Sequence, residues 1–537
     1  MTRRRCTRLK LGPVVGHTTE SSSTIWIQAF DDPGEYQLRV QGAGTFDFVS
    51  TEGDVLEFCT GIAIATGLRP DWRHSYSILR RGRRVAAASG TFRTMPLPGS
   101  MAPILFCPIS CNSDVELGSW EALKRFVDSA RPHFLLMMGD QVYHDDDPPD
   151  VFDQHRESPA RVRRAALAEK YLRNWSRPPV QHVLSHLPTY MMWDDHDIRD
   201  GWGSLAANSP TMVQRYPRGQ RIFDICDDYF RDARDVYWHF QGCHNAPLPP
   251  GFAAWPFASR TALPCAFVCG RVLVLMLDSR GERDVFRPVL PILGQAQWNF
   301  VEQLLADIPD PIDALVVMTP TPVASMDPHG ASQKLVGRRT DDIEAFRKGD
   351  LEQAVSPKGS SKFGQFALAA VGSHLTSLFG SPVNLGNFNV NSIDEARDQW
   401  SHSYARPEQE RLLRKCAQAR LTNKSAGARE LLFVSGDIHV GGIFDITIRK
   451  PDCKAVSLTS SGISVVENLN PKPTIGSILD DSFDVAAGIH SKLREVVTEV
   501  NFGVVQIVPT GTGAKTLAVI AHAGNSWAVG ADIADLL

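Results

Sequence analysis

Short apolar runs recur along the chain, and each stops abruptly on polar residues. Phe134–Met138 ends at Gly139-Asp140-Gln141-Val142-Tyr143, residues 188–193 end at Asp194-Asp195-His196-Asp197, and residues 431–435 end at Gly436-Asp437-Ile438-His439. Runs of that length without polar alternation predict strands buried on both faces, and the positions just past their C-terminal ends are where layered sheets build sites. Ile104–Ile109 leads in the same way into Ser110-Cys111-Asn112, residues 271–277 lead into Asp278-Ser279-Arg280, and Ala314–Met318 stops at Thr319-Pro320. Helical spacing over residues 120–129 and 294–305 separates these strands, which together predict an α/β layered core.

The first part of the chain has a different period. Thr24-Ile25-Trp26-Ile27-Gln28-Ala29 and Tyr36-Gln37-Leu38-Arg39-Val40 alternate in the manner of half-buried strands around a turn at Asp31-Asp32-Pro33-Gly34, and further short strands follow near residues 74–78 and 90–94. This spacing predicts an all-β sandwich of the fibronectin or immunoglobulin kind over residues 1–98, with Trp26 and Tyr76 as core aromatics. Pro96-Leu97-Pro98-Gly99 reads as the linker to a second region, 99–537. Within that region, residues 330–395 are rich in Gly, Ser, Lys and Asp and read as a long insertion with one helical stretch at 366–378.

Composition narrows the class. A chain of 537 residues can bury a large core, and its net charge of -4 gives no basic surplus to neutralise nucleic-acid phosphates. Ten cysteines are too sparse and irregular for a disulfide framework. The basic start, Arg3-Arg4-Arg5, is not followed by an apolar signal segment, and no apolar run is long enough to cross a membrane. The expectation is a soluble cytoplasmic protein, or an exported one if an N-terminal signal was trimmed.

The junction residues suit metal chemistry. Asp140 and Tyr143 share one turn, and a carboxylate can bridge two ions. A phenol becomes a good ligand only as phenolate, so Tyr143 favours a trivalent iron over zinc, with Cys111 adding thiolate and His439 imidazole. Asp195 and Asp437 offer oxygen alone, which suits a hard ion such as calcium, magnesium or manganese. Singly, each has a plainer reading: Tyr143 as a surface phenol, Cys111 as a small buried hydrophobe, and residues 194–197 as a solvated acidic turn. Three junctions of one design favour the metal reading.

Taken together, Ser110-Cys111-Asn112, Gly139-Asp140-Gln141-Val142-Tyr143, Trp193-Asp194-Asp195-His196-Asp197 and Ser435-Gly436-Asp437-Ile438-His439 resemble the PhoD-like alkaline phosphatases of the calcineurin-like metallophosphoesterase superfamily. Leu277-Asp278-Ser279-Arg280, Gly294-Gln295-Ala296-Gln297-Trp298 and Asp398-Gln399-Trp400 match secondary motifs of that branch, and Gly12-Pro13-Val14-Val15-Gly16-His17 resembles its N-terminal β-module. The resemblance implies an α/β/β/α metallophosphoesterase sandwich behind the β-module. It also implies that Asp140 bridges two metals, that Cys111, Tyr143 and His439 complete an iron(III) site, and that Asp195 and Asp437 hold a second ion, Ca2+ or else Mn2+, Mg2+ or Zn2+. His196, oriented by Asp197, would meet the phosphate or protonate the leaving oxygen, with Asn112 as a substrate contact. Phosphate charge makes Arg280, Arg283 and Arg199 candidates for an additional clamp, with Arg280 placed at the substrate, and each has a plainer reading as a surface or structural arginine. The superfamily's opening Asp-x-His motif is replaced here by Ser-Cys-Asn.

The function expected is metal-dependent hydrolysis of small-molecule phosphomonoesters, phosphodiesters or both, by a metal-activated water at a di- or trinuclear site. A non-catalytic adhesion protein with a structural metal domain is the alternative, and it leaves the pair His196-Asp197 without a use. A serine hydrolase would need Ser435 or Ser461, neither of which stands in a Gly-x-Ser-x-Gly elbow.

Overall fold

The computed structural model describes residues 8–53, 56–145, 150–203, 220–252, 255–257, 261–283, 292–330, 398–420, 429–465, 479–510 and 513–522, so the insertion and the helical stretch expected at 366–378 lie outside the described residues. The first eight strands are β1 (Leu11–Thr18), β2 (Ser22–Gln28), β3 (Tyr36–Val40), β4 (Gly44–Asp47), β5 (Val49–Ser50), β6 (Thr60–Thr66), β7 (Arg73–Arg80) and β8 (Arg83–Arg93). They form two four-stranded sheets, β1-β2-β6-β5 and β4-β3-β7-β8, whose inner residues Val15, Ile25, Ile27, Leu38, Ile78 and Phe92 make a core of their own.

The other face of β2 is buried too. Strand alternation sends Ile25 and Ile27 into the module's own core and sends Trp26 out, where it joins Leu11, Val14, Phe58 and Met95 in the main core of the chain. The Trp26 indole N–H donates to the His239 carbonyl at 2.8 Å, and its ring packs against Trp175 and Phe240. Tyr76 is buried as expected, with its hydroxyl donating to the Ser185 carbonyl at 2.9 Å. The N-terminal module is thus built into the rest of the molecule by shared apolar surface. Trp26→Ala is expected to destabilise the whole protein by about 3–5 kcal/mol, the scale for truncating a buried aromatic. Chemical denaturation checks this, and a loss under about 1 kcal/mol would mean that the shared core carries little.

Beyond the linker lie β9 (Ile104–Ile109), β10 (Phe134–Met138), β11 (Thr189–Met192), β12 (Cys265–Cys269), β13 (Val272–Met276), β14 (Ala314–Met318), β15 (Glu430–Ser435), β16 (Gly441–Arg449), β17 (Asp452–Thr459), β18 (Ser482–Ala486), β19 (Ile489–Val497), β20 (Asn501–Pro509) and β21 (Ala514–His522). They make two mixed sheets, ordered β11-β10-β9-β20-β21 and β12-β13-β14-β15-β17-β16-β19-β18. Strands β9, β10 and β11 run parallel to one another, as do β13, β14, β15 and β17, so the C-terminal ends within each set point the same way. Along β14, Ala314, Val316 and Met318 join the core that holds β9–β11. Leu315 and Val317 instead join a second core with Trp298, Val301 and Leu305 of the helix Gly294–Ala306 and Leu412, Leu413 and Cys416 of the helix Arg406–Arg420. The buried strands and the helices Trp120–Ala130 and Gly294–Ala306 stand where the apolar pattern places them. Among the described residues, no helix is long and apolar enough to cross a membrane.

Candidate metal centre

The polar residues that follow β9, β10, β11 and β15 converge. Glycine is what lets the junctions approach so closely: a Cβ at Gly139 would stand 2.5 Å from the Asp194 Cβ, and one at Gly436 would stand 2.1 Å from the Ser110 Oγ. At the next residue the chain turns sharply. Cys111, Asp140, Asp437 and His439 all have left-handed backbones, with φ of 57°, 54°, 74° and 54°. Each such non-glycine conformation costs about 1–3 kcal/mol, a strain concentrated at sites where it aims a side chain.

Two groups of ligand-type atoms result. Cys111, Asp140 and His439 form one, and Asp140, Asp194, Asp195 and Asp437 the other, with the offered atoms of each group within 4.8 Å of one another. Asp140 belongs to both. The Tyr143 hydroxyl lies 2.9 Å from the His439 Nε2, so the phenol reaches the first group. All six residues expected to bind metal are therefore brought together, and the structure adds Asp194. A third group, Asp195, His196 and Asp200, adjoins the second.

The charge balance of this centre asks for cations. The Asp140 Oδ1 and Asp194 Oδ2 are buried without hydrogen-bond partners, an expensive state for carboxylate oxygens unless something positive meets them. Burial, with Cys111 and Asp195 adding repulsion, holds the Asp140 carboxyl well above the ordinary carboxylate range. Burial and the charges of Asp195 and Asp398 push Asp437 up to about 7. Burial alone would raise the Cys111 thiol, but the facing His439, its hydrogen bond and that of Ser461 bring it down to about 6. A thiol, a phenol, an imidazole and shared carboxylates are a donor set that fits metal cations.

The sign of the pH effect follows. Between about pH 4 and pH 7 the folded, metal-free protein keeps protons on these carboxyls that the unfolded chain has released, so the stability these groups contribute falls as pH rises through that window. Because protons compete with cations for these ligands, added divalent cations are expected to raise the melting temperature of chelator-treated protein, and to raise it more near about pH 8 than near about pH 5. Calorimetry with and without chelator checks both, and equal cation effects at the two pH values would contradict this account of the charge.

Four expectations change. His196 is buried and its Nδ1 lies 2.8 Å from the Asp145 Oδ1, so Asp145 orients the ring and Asp197 does not. The Asp145 carboxyl also accepts the Asp200 backbone N–H, and although burial opposes ionisation, His196 and that N–H hold it down at about 2. Asp197 has structural work instead: its carboxylate accepts the backbone N–H of Asp194 at 3.0 Å and of Gln141 at 3.3 Å, and the Gln241 amide at 2.9 Å. Arg280, expected at the substrate, is fully buried and donates to Asp194, to Asp398 at 2.6 and 2.8 Å, and to the Trp202 carbonyl at 2.7 Å. Its fork is filled by the protein, so it offsets carboxylate charge behind the centre and does not present itself to an ester. Asn112 is likewise buried, its Oδ1 accepting from Trp120 at 2.8 Å and Arg177 at 3.1 Å, and it shapes the loop after β9.

Residues outside the expected set now have places. Gln399 donates to the Asp437 Oδ2 at 3.0 Å, and Asp398 receives both Arg280 and Arg283. Ser435 pairs with Thr459 at 2.9 Å, and the Ser461 Oγ accepts the His439 backbone N–H at 2.7 Å, so neither serine is set up as a nucleophile by an imidazole.

No curated protein matches the chain at a significant level. Among solved structures, one of PhoD aligns over 97% of this chain and 92% of its own at 14% identity and a TM-score of 0.57, a likeness of fold. A purple acid phosphatase from yellow lupin (Lupinus luteus) seeds aligns over 95% of this chain and 71% of its own at 9% identity and a TM-score of 0.48. The pattern of the family described as PhoD-like phosphatase matches residues 105–474, a span that contains every junction of the centre from Cys111 to His439, and the chain belongs to that family.

Proposed function

We propose that the protein hydrolyses small phosphate esters, monoesters, diesters or both, at a di- or trinuclear metal centre set in an α/β/β/α layered catalytic region. Cys111, Asp140, Tyr143 and His439 would hold iron(III), and Asp140, Asp195 and Asp437 would hold calcium or another hard ion. Cations bound there neutralise phosphate charge and acidify a water near neutral pH. The observation that carries this reading is the pair of ligand groups sharing Asp140, with buried carboxylate oxygens left unpaired. The chain's own part is to fix those ligands on strained strand ends, to balance surplus carboxylate with Arg280, and to hold His196 against Asp145 where it can give a proton to the departing oxygen. A non-catalytic metal domain has no use for that His-Asp pair.

The test is metal analysis of protein purified without chelator, alongside a panel of phosphomonoesters and phosphodiesters. Iron with a visible phenolate band that Tyr143→Phe abolishes is the expected result. A colourless, iron-free and fully active enzyme would remove the iron assignment, and metal-loaded protein inert on every ester would remove the function.

A further inference from the structure

The turn after β17 is one more strand-to-loop junction at the centre, and it supplies no carboxylate. Strand β17 pairs in parallel with β15, Leu432 opposite Val456 and Ser435 opposite Thr459, so its C-terminal end delivers Ser460-Ser461 beside the junction that carries Asp437 and His439. Ser461 is fully buried. Its Oγ accepts the His439 backbone N–H at 2.7 Å and stands 3.0 Å from the Cys111 Sγ, while the Ser461 carbonyl is held by the Asn501 amide at 2.6 Å.

A hydroxyl has one proton to give. With His439 donating to its oxygen, the Ser461 proton has the Cys111 sulfur as its partner. Ser110 also approaches the sulfur, at 3.2 Å, but its hydroxyl donates to the Ser460 carbonyl at 3.1 Å. Of the two serines, Ser461 is therefore the one that ties two residues of the first ligand group together, one through the side chain and one through a backbone held in the left-handed region.

We propose that Ser461 is a positioning residue of the cation centre, donating its hydroxyl proton to the Cys111 thiolate and fixing the His439 backbone, and that it sets the affinity of the Cys111 half for its metal. The proposal rests on the reading of Cys111 and His439 as ligands. Outer hydrogen bonds of this kind orient ligands, and losing one weakens metal binding by about 10–100-fold. A hydrogen bond to sulfur also lowers the energy of its lone pair, so losing it moves sulfur-to-metal absorption to longer wavelength.

Metal-depleted full-length protein is titrated with cobalt(II), following the near-ultraviolet sulfur-to-cobalt band, for the wild type and for Ser461→Ala, Ser461→Thr and Cys111→Ser. Expected are a roughly 10–100-fold weaker cobalt affinity and a longer-wavelength band in Ser461→Ala, with both restored in Ser461→Thr. If Ser461→Ala does not fold, Ser461→Val against Ser461→Thr, matched in shape, makes the same comparison. Wild-type affinity and band position in the variant lacking the hydroxyl would overturn the proposal while the ligand reading stands. A wild type with no sulfur band, bound as tightly as Cys111→Ser, would overturn both.

Discussion

Asp140→Asn is expected to lower kcat by about 10³-fold or more and to strip cations from both halves of the centre. The size follows from position. Asp140 is the residue common to the two ligand groups, so the amide removes charge and a bridging oxygen from each at once, whereas Asp195→Asn or His439→Ala touches one. The same substitution should stabilise the metal-free protein. The Asp140 carboxyl is buried against Cys111 and Asp195 with one oxygen unpartnered, and an amide of the same shape relieves that repulsion. Metal content by mass spectrometry, kcat on an aryl phosphate, and melting in chelator read the three effects separately. An Asn variant that keeps both cations would show that Asp140 does not bridge them, whatever its activity.

Much of this centre is legible in the residue pattern because the chemistry sits at the ends of buried strands. Phe134–Met138 reads as core, so Asp140 and Tyr143 two and five positions later emerge past the C-terminal end of a buried strand. What cannot be read is which junction residues turn outward and which turn back. Asp197 adjoins His196 in sequence, yet the tight turn at 194–197 points its carboxylate at backbone N–H groups, and the partner of His196 comes from Asp145 in the acidic run 145–147 after β10. Arg280 follows an apolar strand like the other site residues, but its pairing with Asp398, far along the chain, is a tertiary fact with no local signal. The module boundary at 96–99 is plain from Pro and Gly. That Trp26 crosses it into the main core is not, since alternation gives the faces of a strand and not what covers them. Strands β16–β21 are the largest part the pattern leaves unread. In β19, Lys492, Arg494 and Glu495 interrupt the apolar positions and the strand lies half exposed, so it lacks the run that marks β10 or β15.

The second large effect concerns His196. His196→Ala is expected to lower kcat by about 10²–10⁴ while leaving metal content nearly unchanged, the scale for losing a general acid. The loss should be smaller on aryl phosphates than on alkyl ones, because a good leaving group needs less protonation as it departs. Asp145→Asn should show the same leaving-group dependence in weaker form, since the imidazole remains but loses the carboxylate that fixes its Nδ1 at 2.8 Å and favours the protonated ring. Asp197→Ala should behave differently. It leaves the Asp194 and Gln141 backbone N–H groups without their buried acceptor, at about 1–3 kcal/mol each, so its signature is lost stability with no preference among leaving groups. Four enzymes, one metal assay and two ester series distinguish the roles. Because the ligand atoms of Asp195, His196 and Asp200 also lie within 4.8 Å of one another, the rival outcome is specific: if His196→Ala empties a cation position and slows aryl and alkyl esters equally, His196 is a ligand and the proton comes from elsewhere.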